Sequence, residues 1–287
     1  TAGRLPNVDL LFPNVELRLG VGTVRSSPIN IHLLISPDDD DHVVQIKRFL
    51  GELSFRAYDE VFRCSPEDLK SLGRAHARAR GEAVPDDRTA LAMGCNQFKV
   101  DFNELNDAWK RSAWIRDNAL IAVAAGSNDG TSGLAHDASQ ATQRSEIEKA
   151  AQVIFSSHPK QRTFWLGEAD NVSRAQLDAI YGGRKPCIHG SDAHAGDRAG
   201  NPAQDRYCWI KGDPTFEGLK QACIEPTRAF VGNQAPEETV PSQTIRRVDV
   251  TNATWIASGP VSLNPGLVCI IGARGSGKTA LADLIAA

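Results

Sequence analysis

The segment Gly272-Ala273-Arg274-Gly275-Ser276-Gly277-Lys278-Thr279 constrains the fold most, because it completes the pattern G-x-x-x-x-G-K-[ST]. An apolar run, Leu267–Ile271, precedes it and a helix-forming run, Ala280–Ala286, follows. A strand, a glycine-rich loop and a helix in that order predict an α/β architecture. The glycines let consecutive backbone N–H groups turn toward an anion at a helix N-terminus. Gly272, Gly275, Ser276 and Gly277 are therefore expected to cradle phosphates. Lys278 is expected to neutralise the β- and γ-phosphates, and the Thr279 hydroxyl to hold Mg²⁺. A strand-to-helix turn without a ligand is the plainer reading, and the three-part context argues against it. The sequence ends at Ala287, before any acidic strand could follow, so nucleotide binding is expected rather than hydrolysis.

Upstream, short apolar runs alternate with amphipathic segments, which again predicts α/β structure. Extended segments are expected at Leu10–Phe12, Val15–Leu19, Ile29–Ile35, Leu120–Ala124, Val153–Phe155, Thr163–Leu166 and Pro186–His189. Helices are expected at Val43–Leu53, from Ser65-Pro66 toward Arg78, from an Asp101/Glu104 capping pair through Trp114, at Glu146–Gln152, at Ser173–Tyr181 and at Pro214–Cys223 under an Asp213 cap. Gly126–Ser139, rich in Gly, Ser, Asn and Asp, reads as a long loop. Asn233–Gln243 has almost no large apolar residue and reads as a linker. The division is thus a domain at 1–232, a linker at 233–244 and the start of a second domain at 245–287, with strands at Ile245–Val250 and Leu267–Ile271.

Hydrophobic residues at 41 % supply a sizeable core and exclude global disorder. The formal charge of −3 excludes a polybasic chain but leaves room for a local basic groove. No apolar run reaches membrane-spanning length, so no membrane partner is expected. Six scattered cysteines without a C-x-x-C pair argue against a disulfide framework or zinc ribbon and fit a reducing, cytoplasmic setting. The start at Thr1 and the stop soon after the phosphate loop read as a piece of a longer protein.

The second signal is Cys187-Ile188-His189-Gly190-Ser191-Asp192-Ala193-His194. On an extended backbone Asp192 and His194 face the same way, and a carboxylate beside an imidazole suits a divalent metal. An Asp-x-His alone is also common on surface strands. Three further segments add donors: Ser157-His158-Pro159 after a short strand, Asn30-Ile31-His32 inside an apolar strand, and Pro13-Asn14-Val15-Glu16. Buried Glu and His are costly unless paired or metal-bound, although His32 by itself reads as a hydrogen-bonded core histidine.

Taken together these segments resemble the PHP (polymerase and histidinol phosphatase) family over roughly residues 1 to 232. The resemblance implies a distorted α/β barrel with up to three metals at the C-terminal strand ends. Glu16, His32, His158, Asp192 and His194 would be the ligands, and His158, Asp192 and His194 also the catalytic set. The family's opening H-x-H strand has no counterpart before Glu16, so that strand is expected to be missing or the site degraded. The stretch from Arg56 to Ala151 looks like an insertion. A PHP domain joined to this phosphate loop is similar to the TrlF-like PHP–ATPases, which include the Ppl antiphage-defence proteins. That similarity implies a truncated SMC- or ABC-like ATPase head binding ATP with Mg²⁺ and pairing with a second copy. It also implies a phosphodiesterase or nuclease acting on DNA or RNA with Zn²⁺, Mn²⁺ or Fe²⁺. A catalytically inactive barrel serving as a recognition or assembly platform is the alternative.

Weaker signals stay open. Asp38–Asp41 before His42 reads as a solvated turn capping a helix rather than a metal cluster. His189 could sit beside a metal site or simply end a strand. Arg198 could contact phosphate or pair with Asp197 or Asp205. Arg74, Arg78 and Arg80 with His76 form a basic helical face, more often solvated than bound to nucleic acid. Asp129 and His136 lie in the long polar loop.

Overall fold

The computed structural model describes residues 8–22, 27–126, 130–131, 138–191, 193, 195–237, 244–252, 254–264 and 266–286. The chain divides into two compact units, Thr1–Ala235 and Pro236–Ala287.

The first unit is mixed α/β. Its strands are β1 (Asn14–Gly22), β2 (Pro28–Ile35), β3 (Ser54–Ala57), β4 (Glu60–Arg63), β5 (Ala119–Ala124), β6 (Val153–Phe155), β7 (Cys187–Ile188), β8 (Tyr207–Ile210) and β9 (Ala229–Gly232). Its helices are α1 (His42–Leu50), α2 (Pro66–Ala79), α3 (Asp87–Gln97), α4 (Phe102–Arg111), α5 (Ala113–Asn118), α6 (Ala138–Ala150), α7 (Pro159–Trp165), α8 (Arg174–Tyr181) and α9 (Phe216–Ile224). The main sheet has the order β1-β2-β5-β6-β7. β1, β2 and β5 run antiparallel, whereas β5, β6 and β7 run parallel.

Among the described residues this sheet is open, not the barrel expected from the sequence. Closure requires each edge strand to find a partner. Among the described residues the outer edge of β1 is met only by a bridge to Val100, with Gly20 N–H donating to the Val100 carbonyl at 2.9 Å. β7, at the other edge, is two residues long.

Alternation of side chains gives the sheet two unlike faces. On one, Leu17, Leu19, Ile31, Leu33, Ile121 and Ile154 pack under the helices, against Phe49, Leu72, Leu105, Ile115, Ile147 and Leu177. On the other, Leu34, Leu120, Ala122, Val153 and Ile188 pack against Phe216 and Leu219 of α9 and Ala229 of β9. Residues of the same parity on β1 and β2 are Asn14, Glu16, Arg18, Asn30 and His32. The apolar layer thus gives way to a polar strip.

Several expected elements change. Thr163–Leu166, expected as a strand, is the end of α7 and the residue after it. His158 caps that helix and Pro159 fills its first position, so a helix started four residues upstream runs through the segment where the apolar run alone suggested β structure. The helix expected from Asp101 through Trp114 breaks at Ser112, which leaves helical geometry and caps α5 by accepting from Ile115 N–H at 3.3 Å. Asp101 does cap α4, but Glu104 does not return the bond. Its carboxylate accepts from the N–H (3.0 Å) and hydroxyl (2.7 Å) of Ser54 on β3. The last helix of the unit is capped by Thr215 rather than Asp213.

The second unit holds a hairpin of β10 (Arg247–Val250) and β11 (Gly259–Ser262), the phosphate loop, and α10 (Lys278–Ala286). Leu267–Ile271 was expected as the strand before the loop and is not a strand. With no neighbouring strand among the described residues to hydrogen-bond, its apolar residues stay exposed, Leu267 at 84 % and Ile271 at 90 %. None of the described helices is long and apolar enough to cross a membrane.

Candidate functional site

Glu16 and His32 are direct cross-strand partners, and His32 is in turn opposite Ala122 of β5. Both side chains project from the polar strip. The Asn14 side-chain amide lies 3.3 Å from His32 Nδ1, and the ring of Phe155 packs on the imidazole at 4.7 Å between centroids. His32 is therefore half-buried between an amide and an aromatic ring, with an exposed carboxylate beside it.

β6 and β7 end side by side. Phe155 is the register partner of Ile188, and Ser156 N–H donates to the Ile188 carbonyl at 3.0 Å. His158 comes two serines after the end of β6, and His189 directly follows β7. His158 is exposed, and its Nδ1 accepts from Lys160 N–H at 3.2 Å as the cap of α7. With Nδ1 accepting, the neutral ring carries its proton on Nε2. It thus offers an N–H, and ligation of a metal through Nε2 would require the other tautomer. His189 Nδ1 lies 2.7 Å from the Gly190 carbonyl, while its Nε2 is buried and has no hydrogen-bond partner.

Asp192 and His194 lie outside the described residues, as do Asp129 and His136. Among the described residues, no three His, Cys, Asp or Glu side chains gather into a group that could hold a metal ion. Glu16 with His32 forms a pair of suitable donor chemistry, and His158 stands at a separate strand end.

A groove of about 950 Å³ opens past the carboxyl ends of β5 and β6, where open α/β sheets usually bind ligands. His158, Lys160, Gln161, Phe164, Arg144 and Asp170 are among the residues that line it. Arg144 and Lys160 carried no signal in the sequence. An i, i+4 Arg–Glu pair on a helix and a lysine after a proline both look like ordinary surface.

No family model, curated protein or solved structure matches this chain.

The phosphate loop takes up the backbone that its glycines permit. Gly275 and Gly277 have φ of 82° and 81°, and Lys278 opens α10. Lys278 Nζ donates to the carbonyls of Gly272 (2.8 Å) and Ala273 (2.7 Å), which holds the ammonium across the loop. Ser276 sits within the turn, and the Thr279 side chain is exposed one residue into the helix.

The weaker signals resolve unevenly. Asp41 makes no side-chain cap on α1. Asp39 instead accepts from Trp114 Nε1 at 2.6 Å, and that bond, with the Asp41 N–H, holds its carboxyl below the usual range. The basic face of α2 is largely paired within the unit: Arg74 and Lys70 with Asp87, Arg80 with Glu82, and His76 with Tyr58 at 2.8 Å. Arg198 is exposed and makes no ion pair among the described residues.

Proposed function

We propose that the first unit is a phosphodiesterase or nuclease acting on nucleic acid, controlled by nucleotide bound at Gly272–Thr279. What supports the reading is the side-by-side ending of β6 and β7, which brings His158 and His189 to one edge of the sheet. The groove beside His158 gives that edge room for a substrate. The SMC- or ABC-like head belongs to this proposal, as do pairing through that head and a part in antiphage defence.

Divalent Zn²⁺, Mn²⁺ or Fe²⁺ held by Glu16, His32, Asp192 and His194 would supply a water acidic enough to lose a proton and then attack phosphorus. The chain's own groups have their own tasks. His158, with Nδ1 engaged by Lys160, presents an N–H from which a leaving oxygen can take a proton. Asn14 and Phe155 fix the plane of the His32 ring. Lys278 would bind the β- and γ-phosphates of ATP and Thr279 its Mg²⁺.

The test is cleavage of labelled DNA and RNA by wild type, Asp192→Ala and His194→Ala, with metal content measured on each. Loss of both cleavage and bound metal, with ATP binding kept, is the expected result. Cleavage surviving at the wild-type rate removes these residues from the chemistry. A wild type that binds ATP, carries no metal and cleaves nothing makes the first unit a recognition platform.

A further inference from the structure

Glu148 on α6 is buried, 2 % exposed. Its Oε1 accepts from Thr131 Oγ1 at 2.6 Å and from Arg144 Nε at 3.0 Å, while Oε2 is buried without a partner. The carboxylate thus grips Arg144 through the inner nitrogen of its guanidinium. The two terminal nitrogens have no partner among the described residues, and Arg144 lines the groove. A guanidinium anchored in this way loses little freedom when its outer edge meets a phosphate. Lys160 lines the same groove, is exposed, and makes no ion pair among the described residues. Phe164, on the next turn of α7, adds a half-buried aromatic wall, and Asp170 adds acceptors.

We propose that Arg144 and Lys160 form a phosphate clamp in this groove, and that its ligand is a single-stranded nucleic acid. One backbone phosphate would sit between the two cations, with a base against Phe164. The inference rests on the phosphoesterase reading for what happens next to the clamp, and on the groove alone for binding. A clamp beyond the scissile position makes the substrate a chain, because an isolated monoester has no second phosphate to place there. An open groove with one aromatic wall suits unpaired bases better than a duplex.

The experiment is fluorescence anisotropy of a labelled ten-nucleotide single strand with the full chain, in chelator, over a salt series. Wild type, Lys160→Gln, Arg144→Lys and Arg144→Gln are compared, with inorganic phosphate and a duplex as competitors. Lys160→Gln is the decisive variant, since its side chain supports nothing in the fold. It should bind roughly ten-fold more weakly, with a log–log salt slope smaller by about 0.7. Arg144→Lys, which keeps charge but loses the fork, should also bind more weakly. Wild-type binding by Lys160→Gln, no binding by wild type, or stronger competition from duplex than from single strand overturns the clamp. Because chelator is present, the result is independent of cleavage. Binding through these residues without cleavage sinks the phosphoesterase reading and keeps the clamp. Cleavage indifferent to Lys160→Gln does the reverse.

Discussion

Lys185 is the residue most at odds with its surroundings. It is 6 % exposed just before β7, its ammonium donates to the Ala151 carbonyl alone among the described residues, and burial pushes its pKa down from 10.5 to about 8. An unfolded chain takes up this proton as pH falls below about 10.5 while the folded chain does not. The group therefore subtracts stability progressively between those values, and the deficit, on the order of 3 kcal/mol, is complete below about 8. Lys185→Met should be more stable than wild type in urea at pH 7, by somewhat less than that because the Ala151 carbonyl loses its donor. The two should converge near pH 10.5. The comparison is needed because Cys187 and Cys223, raised by burial to about 12, lower stability as pH climbs above 9. An equal difference at both pH values would mean packing, not charge. Nothing in the sequence marks Lys185, a lysine between Arg184 and Pro186, as buried. Lys278, by contrast, was readable because motif and local backbone are one and the same.

At the level of elements, α2 and α3 lie closer than ordinary side chains allow. A Cβ on Gly94 would fall 1.8 Å from the Leu69 carbonyl oxygen, and one on Gly73 would fall 1.9 Å from that of Ala90. Gly94→Ala must push backbone apart, so a loss of about 1–3 kcal/mol is expected by thermal or urea unfolding. Gly196→Ala, in open space, should be near neutral and serves as the control. Such packing is invisible in a single sequence, where Gly73 and Gly94 read as weak points of helices. The β3–β4 hairpin was missed for a related reason. Its two-residue turn places Tyr58 and Asp59 at φ of 51° and 61°, where Asn-Gly would have announced it. β2, β5, β6 and the Ser65-Pro66 start of α2 were legible, because period, composition and caps agree there. Of the candidate site, the residue types were legible and their grouping was not. Glu16 meets His32 through strand pairing, and a pairing register is not written in either strand alone.

Across the whole chain the two units differ in how they are built. All six residues of β5 are buried, whereas no described residue of the second unit is. Hydrogen exchange should therefore show amides of Ala119–Ala124 opening only with global unfolding, and those of β10 and β11 exchanging far faster. ATP with Mg²⁺ should slow exchange at Gly272–Thr279, and Lys278→Ala should remove that slowing while leaving β5 unchanged. No slowing in wild type would remove nucleotide from the account of the loop.

The central strand pair has a history written into its position. Ile35 and Ala119 are register partners, and Ser36 N–H donates to the Asn118 carbonyl at 2.7 Å, yet residues 36–118 lie between them. Closing a loop of that length costs about 4 kcal/mol before any bond across it forms. The helices of the loop are also what covers one face of the sheet. The strand that carries His32 can thus meet β5 only after α1, α2, α4 and α5 have begun to gather, whereas its pairing with β1, which forms the polar strip, is local. A slow phase in refolding that reports on β2 and β5 together is the trace such an order of events would leave.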